Sequence, residues 1–300
     1  MYKRQAVDKE IWIHKQERFT LNVNYFHVVF TIPNELNTLC LIDPKFMYKA
    51  LFTISAETIK ELSKDKKYLG AKIGFTSVLH TWGQNLSLHP HIHMIVPGGG
   101  IDSNGKWKNS KKKFFLPVKV VSKLFKGKFL SYTKKNFDQR KIKDEEQFQN
   151  IINTCYSKDW VVYTKTPMKS AKHVVKYLGR YTHRIAISNA RIKKYEDNKV
   201  TFSYKDYSDH NQIKEMTLDD TEFFRRYMMH VLPPNFMKIR HYGFLGNRNK
   251  EERIKAVRTA TNTKNPGPLL IDYEQIISDI LKRDVSICIK CGQKRHYQLE

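Results

Sequence analysis

AKIGFTSVLHTWGQNLSLHPHIHMIVPGGG, residues 71–100, holds two runs rich in Ile, Val and aromatic side chains, separated by Gly83, Gln84 and Asn85. That break has the composition of a turn, so the two runs predict neighbouring β-strands. Side chains alternate across a strand, which places His91 and His93 on one face while Ile92 packs on the other. Two rises of roughly 3.3 Å separate their Cα atoms by about 7 Å, close enough for both imidazoles to converge on one ion. A strand also fixes such geometry better than a loop. His89 shares their parity, with Pro90 between it and His91. Two residues compete for the place of third ligand. Gln84, at the entrance to the same strand, offers a carbonyl oxygen suited to a hard ion, and His80 lies on the preceding strand.

Upstream, YFHVVFTI (residues 25–32) reads as a buried strand stopped by Pro33. PKFMYKALFTISAETIKELSK (44–64) spaces Phe46, Ala50, Leu51, Ile54, Ile59 and Leu62 as an amphipathic helix does. Downstream, Pro117 opens a helix, VKVVSKLFKGKFLSYTKKNF, that is apolar on one side and lysine-rich on the other. DWVVYTK (159–165) is a further strand; Ser170 then caps a helix, AKHVVKYLGRYTHR (171–184), that leads into a strand, IAIS (185–188). VTFSYKDY (200–207) is a strand, and LDDTEFFRRYMMHVLP (218–233) a helix stopped by Pro233. Strands interleaved with helices around a hairpin predict an α+β fold on a central antiparallel sheet flanked by helices. Neither a GxGxxG nor a GxxxxGK[ST] follows a strand, which argues against a nucleotide-binding doubly wound fold. Residues 1–22 read as a linker-like lead-in, 23–250 as the main domain, and 251–300 as a basic tail with a CxxC.

The charge balance narrows the partners. Lysine and arginine number 54 against 29 acidic residues, a net charge of +25 that draws polyanions and makes affinity for nucleic acid salt-dependent. No segment approaches the roughly 20 apolar residues of a spanning helix, and the N-terminal residues lack the apolar core of a signal peptide. Membrane partners are therefore not expected. Four cysteines in 300 residues make no disulfide framework and point to a reducing, cytoplasmic setting.

Tyr177 and Tyr181 stand four residues apart, on one helical face and about 6 Å apart along the axis. His173 joins the same stripe. A tyrosine phenolate can displace an alkoxide at a phosphodiester and form a covalent phosphotyrosine, provided charge at the non-bridging oxygens is neutralised. A metal ion, or Arg180 and Arg184, could supply that charge. Lys111, Lys112, Lys113, Lys119, Lys123, Lys126 and Lys128 interleave with aromatic residues as a phosphate-tracking surface would. Cys288 and Cys291 have the spacing of half a zinc ribbon, with only His296 nearby, which predicts an incomplete or chain-shared Zn²⁺ site.

Five words, YFHVVFTIP, GFTSVLHTWGQNLSLHPHIHMIVPGGG, DWVVYTK, YLGRYTHRIAISN and IRHYGFLGN, resemble in order and spacing the two-tyrosine HUH transposases of the IS-ninety-one type. The resemblance runs from about Asn24 to about Asn249. It implies a ferredoxin- or RRM-like palm and a metal-dependent nickase and strand transferase of rolling-circle transposition. The partner would be DNA, mainly single-stranded ends of an insertion sequence, met in the nucleoid. Carried onto this chain, His91 and His93 would be metal ligands with Gln84 as the third, and Tyr177 and Tyr181 the paired nucleophiles. The resemblance points to Mg²⁺ or Mn²⁺, whereas ligand softness alone also admits Zn²⁺. Members of that family typically begin with a cysteine- and histidine-rich zinc-binding domain, and residues 1–20 resemble only the linker that follows it. A replication initiator or relaxase of the same chemistry, and a non-catalytic DNA-binding protein, are the alternative readings.

Overall fold

The computed structural model describes residues 2–110, 115–142, 144–168, 175, 179, 186–267 and 270–294. Helix α1 (Tyr2–Glu17) precedes strand β1 (Tyr25–Thr31), a short helix α2 (Asn37–Ile42) and the long α3 (Pro44–Lys64). Strands β2 (Phe75–Trp82) and β3 (Leu88–Pro97) form the expected hairpin, followed by a ribbon of β4 (Gly99–Ile101) and β5 (Trp107–Asn109). Helices α4 (Val118–Asn136) and α5 (Glu145–Ser157) lead to β6 (Val162–Met168). A meander of β7 (Ile192–Glu196), β8 (Lys199–Asp206) and β9 (Gln212–Asp219) runs into α6 (Asp220–Met228). Strand β10 (Ile239–Tyr242) and helices α7 (Lys250–Ala260) and α8 (Tyr273–Leu281) complete the described elements.

The central sheet is antiparallel throughout, in the order β10-β2-β3-β1-β6. Its alternation separates two layers. Phe26, Val28, Phe30, Leu79, Ile92, Met94 and Val96 point to one face and pack against α3 and α4, where Phe125 meets Phe30 edge to face at 4.9 Å. Phe30 and Phe125 are fully buried; truncating either to alanine would cost about 3–5 kcal/mol. Helix α3 starts where it does because the Asp43 carboxylate caps the Phe46 amide at 2.9 Å and Pro44 fills the first turn.

The opposite face is shared between apolar and histidine rows. At one end Tyr25, Val78 and Ile95 are covered by Trp12 of α1. A smaller cluster of Leu21, Phe244, Leu245, Ile254 and Val257 ties α7 to the same body. There Gly243 has φ +60°, and a Cβ on it would fall 1.8 Å from the Ile73 carbonyl oxygen, so only glycine fits.

Two segments differ from the sequence reading. The expected strand at IAIS is not one: residues 186–188 are irregular and Ala186 sits in the left-handed region at φ +52°, which breaks an extended run. The helix expected over 218–233 is shorter, because residues 218 and 219 belong to β9 and the chain turns after Met228.

Candidate metal centre

Strand pairing brings three histidines together. The β2–β3 register sets His80 opposite His91 and Val78 opposite His93, so all three imidazoles leave the sheet on the same face. Their ligand atoms lie within 4.8 Å of one another. Ring centroids are 4.3 Å apart for His80 and His93, 4.8 Å for His91 and His93, and 5.2 Å for His80 and His91. The register slips between His80 and Trp82, beside Pro90, which has no amide hydrogen to keep the ladder regular.

Neighbouring groups orient these rings. Nδ1 of His91 donates to the His89 carbonyl at 2.6 Å; a carbonyl can only accept, so that nitrogen carries the proton and Nε2 keeps its lone pair. From β1, His27 stacks on His93 with centroids 5.0 Å apart and an interplanar angle of 10°, and its Nε2 lies 2.7 Å from Nδ1 of His93. If Nδ1 of His93 donates to His27, Nε2 is the nitrogen of His93 that would coordinate an ion. Trp82 stacks on His80 at 4.9 Å, and the Lys238 ammonium stands 4.9 Å above the Trp82 ring.

Burial holds these imidazoles neutral. It pulls His80 and His93 well below the ordinary histidine value, with the neighbouring imidazoles adding to the effect. His91 is lowered to about 4, again by burial, against an opposing pull from the His89 carbonyl. Burial also brings Lys238 down to about 8. Three neutral nitrogen donors, two with their second nitrogen already bonded, fit a divalent first-row ion.

The sequence candidates fall into three groups. His91 and His93 meet, and of the two rivals for third ligand His80 stands in the cluster. Gln84 lies in the β2–β3 turn, where its side-chain amide donates to the Tyr207 hydroxyl at 3.4 Å and its backbone carbonyl accepts from Arg191. The β7–β9 meander and α6 dock on that turn: Leu86 is fully buried against Phe202 and Phe223, and Arg226 donates to the Asn85 carbonyl at 3.3 Å. Lys123 and Lys126 sit on α4, on the far side of the sheet from the histidines; Lys126 donates to the carbonyls of Tyr156 and Lys158 at 3.0 Å each. Cys288 and Cys291 form no disulfide and sit in a tight hairpin closed by the Cys288 amide on the Gln293 carbonyl at 2.8 Å. Among the described residues neither joins a group of three ligands.

Tyr177, Tyr181, Arg180, Arg184, Lys111, Lys112 and Lys113 lie outside the described residues. Two neighbours of the tyrosines are described. Val175 is buried, and Gly179 packs so closely on α1 that a Cβ would meet Cδ1 of Ile13 at 2.6 Å. Sequence reasoning missed His27, Trp82 and Lys238. A histidine in the otherwise apolar run YFHVVFTI was the available signal for the first; no local signal marked the other two.

Comparison with known proteins gives the family of the chain. A family model described as "Putative transposase" matches residues 74–253, a span that contains His80, His91, His93 and both tyrosines. The chain is 38% identical over 310 residues to "Putative transposase y4qJ" of Sinorhizobium fredii (strain NBRC 101917 / NGR234), covering 99% of this chain and 78% of that relative. It is 28% identical over 300 residues to the "Transposase for insertion sequence element IS801" of Pseudomonas savastanoi pv. phaseolicola, covering 98% and 72% respectively. No solved structure matches the chain.

Proposed function

The chain belongs to the transposase family matched over residues 74–253, and from that premise we propose that it nicks and rejoins single-stranded DNA through 5′-phosphotyrosine intermediates. The observation that carries the proposal is the convergence of His80, His91 and His93 on one sheet face, with Nδ1 of His91 bonded to the His89 carbonyl. Bound there, a divalent ion would supply Lewis-acid polarisation of a phosphate oxygen. Mg²⁺ or Mn²⁺ is the proposed ion, and an all-imidazole donor set favours Mn²⁺ of the two.

The residues of this chain do the rest. The hydroxyl of Tyr177 or Tyr181 attacks the scissile phosphorus and loses its proton; the P–O3′ bond breaks, the 3′ oxygen leaves as a hydroxyl, and the 5′ phosphate stays on the tyrosine. The second tyrosine accepts another strand before the first link is resolved, which gives a pair a physical purpose. Arg180 and Arg184 are placed in sequence to neutralise phosphate oxygens, and Lys111, Lys112 and Lys113 to follow the backbone, whereas Lys123 and Lys126, on the far face of the sheet, would meet DNA only away from the histidines. Gly179 supports the arrangement, since it lies against α1, whose Trp12 covers the same sheet face that bears the histidines. A Zn²⁺ at Cys288 and Cys291 would draw its remaining ligands from elsewhere, His296 or a second chain. No helix among the described residues is long and apolar enough to cross a membrane, and the proposed place of action is the nucleoid.

Incubation with single-stranded DNA and Mn²⁺ tests the proposal. A protein–DNA adduct that survives denaturation, and disappears when Tyr177 and Tyr181 both become Phe or when His91 and His93 both become Ala, is expected. DNA binding with no adduct from the unaltered chain refutes the catalytic reading.

A further inference from the structure

The histidine face of the central sheet is closed at one end and open at the other. At the end of the strands that holds Tyr25 and Ile95 it is covered: Tyr25, Val78 and Ile95 are buried and pack with Trp12. Toward the edge strand β6 its described residues are exposed. Tyr163 is 54% exposed and Val161, the residue before β6, is 66% exposed. Register places both beside the histidines. Tyr163 pairs with Val29, which pairs with His93; the Val161 carbonyl accepts from the Thr31 amide at 3.3 Å, and Thr31 pairs with His91. Val29 and Thr31 are half-buried, so the four side chains make one shelf that continues directly from the metal centre. Two strand spacings of about 4.8 Å put Tyr163 about 10 Å from His93.

Charge says what suits the shelf. None of the five strands of this sheet contains an aspartate or glutamate, while they carry His27, His80, His89, His91, His93 and His241. Strands without carboxylates in a chain of net charge +25 suit a polyanion. An exposed aromatic ring on that face, one strand removed from the ligands, accepts a flat, uncharged group attached to that polyanion. A nucleobase is both, and only an unpaired one has a free face to offer.

We propose that Tyr163, flanked by Val161, is the stacking platform for one unpaired base of the strand whose phosphate is held at His80, His91 and His93. This rests on the single-stranded DNA reading above and adds the direction of the strand, from the histidines across β1 toward β6. The shelf, rather than the metal centre alone, then discriminates single-stranded from duplex DNA.

Two measurements test it on the full chain. The first is photocrosslinking to an oligothymidine containing 5-iodouracil, followed by trypsin, which releases residues 159–165 as one peptide. The crosslink is expected on Tyr163. The second is anisotropy of fluorescein-labelled oligothymidine in Mn²⁺: Tyr163→Ala is expected to weaken binding about tenfold, Tyr163→Trp to preserve it, and neither to change affinity for a duplex of equal length. Unchanged single-strand affinity in Tyr163→Ala, with crosslinks only elsewhere, overturns the shelf while leaving adduct formation intact. Oligothymidine affinity that depends on Tyr163 in a chain that forms no adduct supports the shelf and refutes only the catalytic reading. An unaltered chain that does not bind oligothymidine overturns both.

Discussion

Replacing His27 with phenylalanine separates ring packing from hydrogen bonding at the metal centre. His27 is 5% exposed and stacked on His93, so a phenyl ring preserves most of the contact while removing the nitrogen that lies 2.7 Å from Nδ1 of His93. Two independent scales give the size of the effect. Taking one partner from a buried hydrogen bond costs about 1–3 kcal/mol. Removing a group that orients a histidine ligand lowers metal affinity by about 10–100-fold, or about 1.4–2.7 kcal/mol. The two agree, and both act by letting His93 rotate or exchange its tautomer, so that Nε2 is no longer held toward His80 and His91. Titration calorimetry with Mn²⁺ on the unaltered chain, His27→Phe and His27→Gln measures it, with circular dichroism in chelator as the folding control. The phenylalanine variant should bind about 10–100-fold more weakly, and glutamine, which can still accept, should recover part of the loss. A folded His27→Phe chain that binds Mn²⁺ within about twofold of the unaltered one would refute the reasoning, since the stack alone would then position His93.

Other consequences are equally specific. Burial holds His91 and His241 at about 4 and His80 and His93 well below the ordinary value of 6.5, so the unfolded chain binds more protons at mildly acid pH. Stability is therefore full above about 6.5 and lost as pH falls from there toward 4; urea midpoints at neutral and mildly acid pH should show the decline, and a constant midpoint would contradict neutral burial. Three imidazole nitrogens should bind Mn²⁺, Co²⁺ or Zn²⁺ at least about tenfold more tightly than Mg²⁺ in equilibrium dialysis, and equal affinity would argue for an oxygen ligand. Gly243→Ala should lose about 2 kcal/mol or more in denaturant unfolding, because a left-handed φ and a 1.8 Å approach to the Ile73 oxygen act together.

Local pattern carried much of this fold. The β2–β3 hairpin, β1, α3 and α4 follow from period-two or helical spacing over long, strongly apolar segments, and each lies close to where the sequence puts it. Strand β10 has four residues, too few for any period to show, although IRHYGFLGN stood out as a word. Strand β9 is half-exposed along its length, and its polar alternation resembles a loop. At the site, the pair His91 and His93 was legible because one strand holds both. The choice between His80 and Gln84 was not, since it depends on the register across the hairpin and the slip beside Pro90. His27 was hidden for the same reason at longer range: it lies 66 residues from His93, and only the pairing of β1 with β3 brings them into contact.

The absence of carboxylates from the five strands of the central sheet has a consequence for how ion and substrate act on each other. A divalent ion held by neutral imidazoles keeps its whole charge, whereas each carboxylate ligand would cancel a unit of it. Such a charge is costly in a largely buried place, and Lys238 beside Trp82 adds to the cost. A phosphodiester arriving at the same place removes that cost for both cations at once. Ion and DNA should then strengthen each other's binding, by the same factor in either order, and couplings of this kind are typically 5–150-fold. The free protein would hold its ion loosely and the DNA-bound protein tightly, which confines the electrophile to the moment a single strand lies across the sheet.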